Sequence, residues 1–316
     1  MTAAPGNSYQ AGFERRWGHL QRPHVRALAW LLDAPDLLDA ADPHWEGRIA
    51  TLGRLPPAID DWIKCVDADS SRLDLELGSR VYTRLGLYAE KLMAFYYREH
   101  GMLVAHGLQV RAARNDTVGE FDFLLDAGPS GVEHIEFATK FYLLEGEAAS
   151  RFDTFVGPNL ADSLGAKMRK IFDKQLALGA HPAAQEVLPR PVVLARALVK
   201  GWLFYRLDRS RAMDGISQQH CRGFWCALGE VGALAGERYV VLPKLQWLAP
   251  YRGSDASVSR EELKAMLAVQ FDAVPMPVLV AVVREEAGML IETERGFIVP
   301  DNWRARAALR QQIAET

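Results

Sequence analysis

From Gly119 to Leu143 the chain reads GEFDFLLDAGPSGVEHIEFATKFYL. Two apolar runs flank a turn rich in glycine and proline, and charged residues sit inside the runs rather than at their ends. Side chains of a strand alternate between its faces. Glu120 and Asp122 therefore share one face, and Phe121, Phe123 and Leu125 the other. On the second run His134, Glu136, Ala138 and Lys140 share a face, and Ile135, Phe137, Thr139 and Phe141 the opposite one. Pairing the two strands collects three carboxylates and a lysine on one side. An exposed amphipathic hairpin would give the same alternation without any site.

The flanking pattern argues for more than a solvated hairpin. Before it, residues 80–101 place Val81, Leu85, Tyr88, Leu92 and Tyr96 at helical spacing, with Gly101 as the stop. That helix is apolar nearly all round, so it predicts burial, yet it carries Glu90. MLVAHGLQVRA follows as a strand. After the hairpin, GPNLADSLGAKMRKIFDKQLALGAHP predicts a helix opened by Gly157 and Pro158 and closed by Gly179 and Pro182. Lys167 and Gln175 lie on or beside its apolar stripe. RPVVLARALVKGWLFYRL then reads as a long strand. Residues 80–207 thus run helix, three strands, helix, strand. Buried charges need partners or a metal. Two helices with inward polar groups against a polar sheet face predict an electronegative pocket with a lysine in it, which suits a hard divalent cation such as Mg²⁺.

The rest of the pattern is coarser. Residues 1–79 read as a helical N-terminal extension, with helices over RPHVRALAWLLD and PPAIDDWIKCV and a charged surface connection over DADSSRLDLELGSR. Residues 208–316 read as a mixed α/β extension. There VSREELKAMLAV predicts a helix with Ser259 and Glu262 as a capping box, and PVLVAVVREEAGMLIETERGFIVP predicts two strands turning at REEAG. The 316 residues are about twice the ~150-residue size of one domain.

Composition narrows the options. Hydrophobic residues make up 49% and the formal net charge is −3, so any binding of nucleic acid rests on local rather than global charge. Cys65, Cys221 and Cys226 form no even framework, and reduced thiols in a cytoplasmic protein are expected. No signal peptide or membrane-spanning run is evident. There is no glycine-rich phosphate loop, H-E-x-x-H or G-x-S-x-G.

The helix–strand–strand–strand–helix–strand order resembles the restriction-endonuclease-like fold, the PD-(D/E)XK nuclease superfamily. GEFDFLL followed by HIEFATKFYL is similar to its metal-binding hairpin. The resemblance implies an α/β protein with a mixed sheet, with Asp122 as the central metal ligand and Lys140 as the catalytic lysine. It makes Glu90 the acidic residue of the first core helix and Gln175 the helix glutamine. Ala138 departs from the pattern, since the second acidic residue usually stands two positions before the lysine. Glu136 or Glu120 would substitute. RALAWLLDAPDLL, LGLYAEKL, GEFDFLL, IEFATKFYL, GPNLADSL, KQLALG and LQWLAP also resemble a bacterial domain-of-unknown-function family, number 1853, along nearly the whole chain.

The expectation is Mg²⁺- or Mn²⁺-dependent phosphodiester hydrolysis of nucleic acid, DNA before RNA. The alternative is a non-catalytic nucleic-acid-binding or scaffold protein on a decayed nuclease fold, for which Ala138 speaks. His134 is expected to be a hydrogen-bonded edge residue. Lys167, Arg169, Lys170 and Lys174, and the cluster Arg206, Arg209, Arg211 and Arg222, are solvated faces or phosphate contacts. Trp202, Trp225, Trp247, Tyr251 and Trp303 are core residues before they are stacking platforms for bases.

Overall fold

The computed structural model describes residues 8–79, 81–113, 116–146, 152–207 and 213–314. Arg80, Arg209 and Arg211 lie outside them. Helices α1 (Tyr9–Trp17), α2 (Pro23–Asp33), α3 (Pro57–Ala68), α4 (Ser71–Leu77) and α5 (Leu85–Glu99) come first. Strands β1 (Leu103–Ala113), β2 (Asp116–Asp126), β3 (Val132–Leu144) and the short β4 (Phe155–Val156) follow, then α6 (Leu164–Lys170), α7 (Pro182–Gln185) and β5 (Val192–Arg206). The remainder is β6 (Cys221–Ala227), β7 (Arg238–Val241), β8 (Arg252–Gly253), α8 (Arg260–Ala273), β9 (Val278–Glu286), β10 (Met289–Val299) and α9 (Trp303–Ala314).

One mixed sheet runs in the order β1-β2-β3-β5-β6-β10-β9-β7. Its centre, β3, β5, β6 and β10, is parallel, and both flanks are antiparallel. The sheet therefore continues from the predicted core through the C-terminal extension without a break. Central parallel strands are covered on both faces, which is why β5 reads as a nearly continuous apolar run. Along β3 and β5, Ile135, Phe137, Phe141, Leu198, Trp202 and Phe204 pack with helices α1–α5. Ala138, Tyr142, Ala197, Val199 and Leu203 pack with α6 on the other side. Trp202, Trp225, Trp303 and Tyr251 are buried, so their rings pack the core as expected.

Several expectations need correction. Helix α5 begins at Leu85, and Val81 is 83% exposed. Val81 and Thr83 are β-branched, and the chain is still extended at Arg84. The stretch read as a surface connection forms α4, because Leu73 and Leu77, four residues apart, bury one face against α5. The helix expected from Gly157 opens instead at Leu164, where Ser163 Oγ accepts from Ala166 N at 3.1 Å. The residues before it form a loop closed by Gly157 N→Asp162 O (2.9 Å), with Leu160 at φ 58°. The capping box on α8 is present as read, with Ser259 N→Glu262 Oε2 at 2.7 Å.

Candidate acid site at the split between two strands

The site is created by a divergence in the sheet. Strands β2 and β3 pair only from Phe123↔Ile135 to Asp126↔Val132. Beyond that point β2 keeps pairing with β1 alone, through Phe121↔Leu108 and Glu120↔Gln109. Strand β3 keeps pairing with β5, through Glu136↔Ala197 and Lys140↔Gly201. The register carried one step past the last pair sets Asp122 opposite Glu136. Here the backbone loses its ladder partner, and the N–H of Phe137 donates to Asp122 Oδ2 at 2.9 Å instead. The simple alternation read from the sequence also ends here. Phe121 packs with Leu124 and Leu178, whereas Phe123 packs on Tyr97 and Phe137.

Glu136 is 1% exposed. Its Oε1 accepts from the Gln175 amide and lies 3.5 Å from Lys167 Nζ. Lys167 Nζ also donates to Gln175 Oε1 at 3.1 Å. With Asp122 ionised, the buried Glu136 Oε2 has no hydrogen-bond donor. Burial, then repulsion from Glu136, pushes the Asp122 carboxyl up to about 8, against the pull of the Phe137 N–H. Burial likewise raises Glu136, opposed by Lys167 and by a hydrogen bond with the Asp122 side chain. Burial depresses the Lys167 ammonium, with Glu136 opposing. Near neutral pH the acid pair thus holds a proton, because one lysine does not compensate two buried carboxylates.

The other predicted residues fall around this pair at different depths. Glu90 contributes to the rise of Asp122 and bonds His106 Nε2 at 2.7 Å. Lys140 Nζ lies 3.1 Å from Asp162 Oδ2, which also accepts from Tyr142 OH at 2.9 Å. Glu120 is exposed on β2 beyond the split, and its carboxylate faces Gly107 of β1 rather than the acid pair. Asp162 and His106 were not singled out in the sequence. Asp162 sits just before the N-cap Ser163, a position that on its own indicates only helix capping. His134 is not the hydrogen-bonded edge residue expected. It lies on a central strand, fully buried against Phe121, with neither ring nitrogen partnered, and burial pulls it down to about 4.

The basic residues are mostly engaged. Arg169 forms a two-bond pair with Asp153, Arg206 pairs with Glu230, and Arg222 lies over the Tyr205 ring. Lys170 and Lys174 are exposed, and Lys170 is near enough to Lys167 to help depress its ammonium. Among the described residues no group of three or more His, Cys, Asp or Glu is arranged to hold a metal ion. No described helix is long and apolar enough to cross a membrane. Neither the curated proteins nor the solved structures contain a match to this chain. Residues 26–299 match the family model of DUF1853, a domain of unknown function, and the chain belongs to that family.

Proposed function

We propose that this chain is a metal-dependent phosphodiesterase acting on nucleic acid, with DNA the first candidate, built on a restriction-endonuclease-like core. The reading is carried by the Asp122–Glu136 pair. It is buried, and with both acids ionised it is short of one positive charge and Glu136 Oε2 lacks a donor. The order α5, β1–β3, α6, β5, with β5 parallel to β3, supports the fold assignment. The donors fit Mg²⁺ or Mn²⁺, since both acids offer hard oxygens. Mg²⁺ is commonly held by one or two carboxylates, with waters and substrate phosphates completing its shell. A pair rather than a triad of acids is consistent with that mode.

Asp122 and Glu136 would hold the cation. When bound it would neutralise charge on the phosphoryl group and make its water more acidic. Lys140 is assigned to orient the attacking water and to offset charge developing on the phosphate. Asp162 and Tyr142 hold Lys140 in place. Gln175 fixes Glu136 through Oε1 and leaves Oε2 free, and Glu90, tied to His106, adds negative potential from the side of α5. Ala138 leaves β3 with a single acid beside Lys140.

The test is cleavage of single- and double-stranded DNA and RNA with Mg²⁺ and with Mn²⁺. The parent is expected to cut at least one substrate. Asp122→Asn and Lys140→Ala should each lower the rate by at least about 10²-fold while remaining folded. A parent that cuts nothing, or variants that cut like the parent, would sink the proposal. The non-catalytic reading draws on Ala138 and on the occupied Oε1 of Glu136. It predicts nucleic-acid binding that is indifferent to the divalent cation.

A further inference from the structure

Helix α6 and the turn after it deliver a second lysine to the acid pair. The Lys167 side chain is 17% exposed and its ammonium sits between Glu136 Oε1 and Gln175 Oε1. The local backbone is unusual. Residues Ile171–Gln175 form a π turn, with Leu176 N→Ile171 O at 2.9 Å. In a regular α-helix, residues eight apart point about 80° away from each other. A π turn adds one residue without advancing the face, so Gln175 takes the place of a residue seven along, about 20° from Lys167. The turn thus seats one amide on both Lys167 and Glu136.

We propose that Lys167 is the resident counter-ion of the candidate cation site and a further substrate-binding residue. Without a cation its ammonium compensates Glu136. With a divalent cation held by Asp122 and Glu136, the Lys167 ammonium would be freed to bind a substrate phosphate. This rests on the reading that a divalent cation binds there. Charge arithmetic supports it. Two ionised carboxylates with a divalent cation leave no net charge. Lys167 is then surplus at the acids, and Lys140 and Lys170 are close enough to repel it. A flexible four-carbon stem allows the move, and a phosphate is a suitable acceptor for a point-charge ammonium.

Calorimetric titration with Mn²⁺ alone, on the parent and on Lys167→Met, tests the exchange. A second titration uses a DNA duplex with non-hydrolysable linkages in the presence of Mn²⁺. Lys167→Met should bind Mn²⁺ about tenfold more tightly, because no resident charge is displaced, and the duplex about tenfold more weakly. Lys167→Arg should stay near the parent in both. A purely structural lysine would weaken both affinities together when removed. Equal or weaker Mn²⁺ binding by Lys167→Met overturns the inference and leaves the metal reading standing. If no form binds Mn²⁺, with or without duplex, the metal reading falls and this inference with it. Lys167→Gln, which keeps the hydrogen bond to Glu136, carries the same prediction should the Met variant not fold.

Discussion

Glu136 and Glu292 are strand carboxylates of the same sheet, 1% and 2% exposed, and their surroundings differ in kind. Both oxygens of Glu292 are met by Arg295, through Nε at 2.7 Å and a terminal nitrogen at 2.7 Å, and Tyr251 N adds a bond of 2.8 Å. The remaining donors of Arg295 reach the carbonyls of Trp247, Leu248 and Ala249, and its guanidinium lies 4.2 Å from the Trp202 ring centroid. Every carboxylate oxygen and guanidinium nitrogen of the pair has a partner. Glu136 shares its burial with a second acid, has one lysine at 3.5 Å, and keeps an oxygen without a donor when Asp122 is ionised. A sheet able to match one buried acid completely leaves the other under-compensated. The first arrangement is accounted for by the fold alone; the second leaves a buried acid pair that retains a proton near neutral pH.

The largest effect should come from breaking the matched pair. Arg295→Met leaves Glu292 buried and unpaired, and the expected loss of stability is about 3–5 kcal/mol by urea unfolding. Mg²⁺ should not restore it. A loss below about 1 kcal/mol would mean that Glu292 does not depend on Arg295 for its burial.

The unmatched pair predicts a pH dependence. Asp122 is raised from 3.8 to about 8, so between these values the folded chain keeps a proton that the unfolded chain has lost. The stability contributed by that proton is complete below about pH 4. It declines as pH rises toward about 8, by at most about 1.4 kcal/mol per pH unit. Asp122→Asn should flatten the decline and be the more stable protein at pH 8, although it is inactive under the proposed mechanism. Stability that rises with pH over this window, or a slope unchanged by Asp122→Asn, would show that the pair is already compensated.

The two sites also differ in how far the sequence exposed them. Period-two alternation pointed to Asp122, Glu136 and Lys140 because charges interrupt apolar runs on either side of an obvious turn. The inward Glu90, Lys167 and Gln175 followed from helical periodicity. The matched site left no such trace. Glu292 and Arg295 are three apart, and in a regular strand they would face opposite ways. A bulge between Glu292 and Glu294 shifts the register, after which the two side chains meet. The π turn that aligns Gln175 with Lys167 was equally invisible, since it alters the helical period by a single residue. Asp162 comes from a loop whose shape depends on distant contacts. Among these is Trp303 Nε1 donating to Pro158 O at 2.7 Å across 145 residues of sequence. Patterns with a local period were legible; contacts set by a bulge, a π turn or a distant anchor were not.

The smallest stability effect should be that of Asp162→Asn. The Lys140 and Asp162 side chains are 24% and 40% exposed, so water screens their attraction and either can be solvated when parted. The expected cost is below about 1 kcal/mol. If Lys140 handles the attacking water, losing this anchor should still slow cleavage by roughly 10- to 100-fold through misplacement of the ammonium. Tyr142→Phe removes the other bond to the same Asp162 oxygen and should give a smaller change in the same direction. A small stability loss with a large rate loss would mark the loop from Gly157 to Asp162 as part of the site. A stability loss of several kcal/mol would instead place Lys140–Asp162 beside Arg295–Glu292 as a pair the fold itself requires, and the acid pair would then lack the lysine assigned to it.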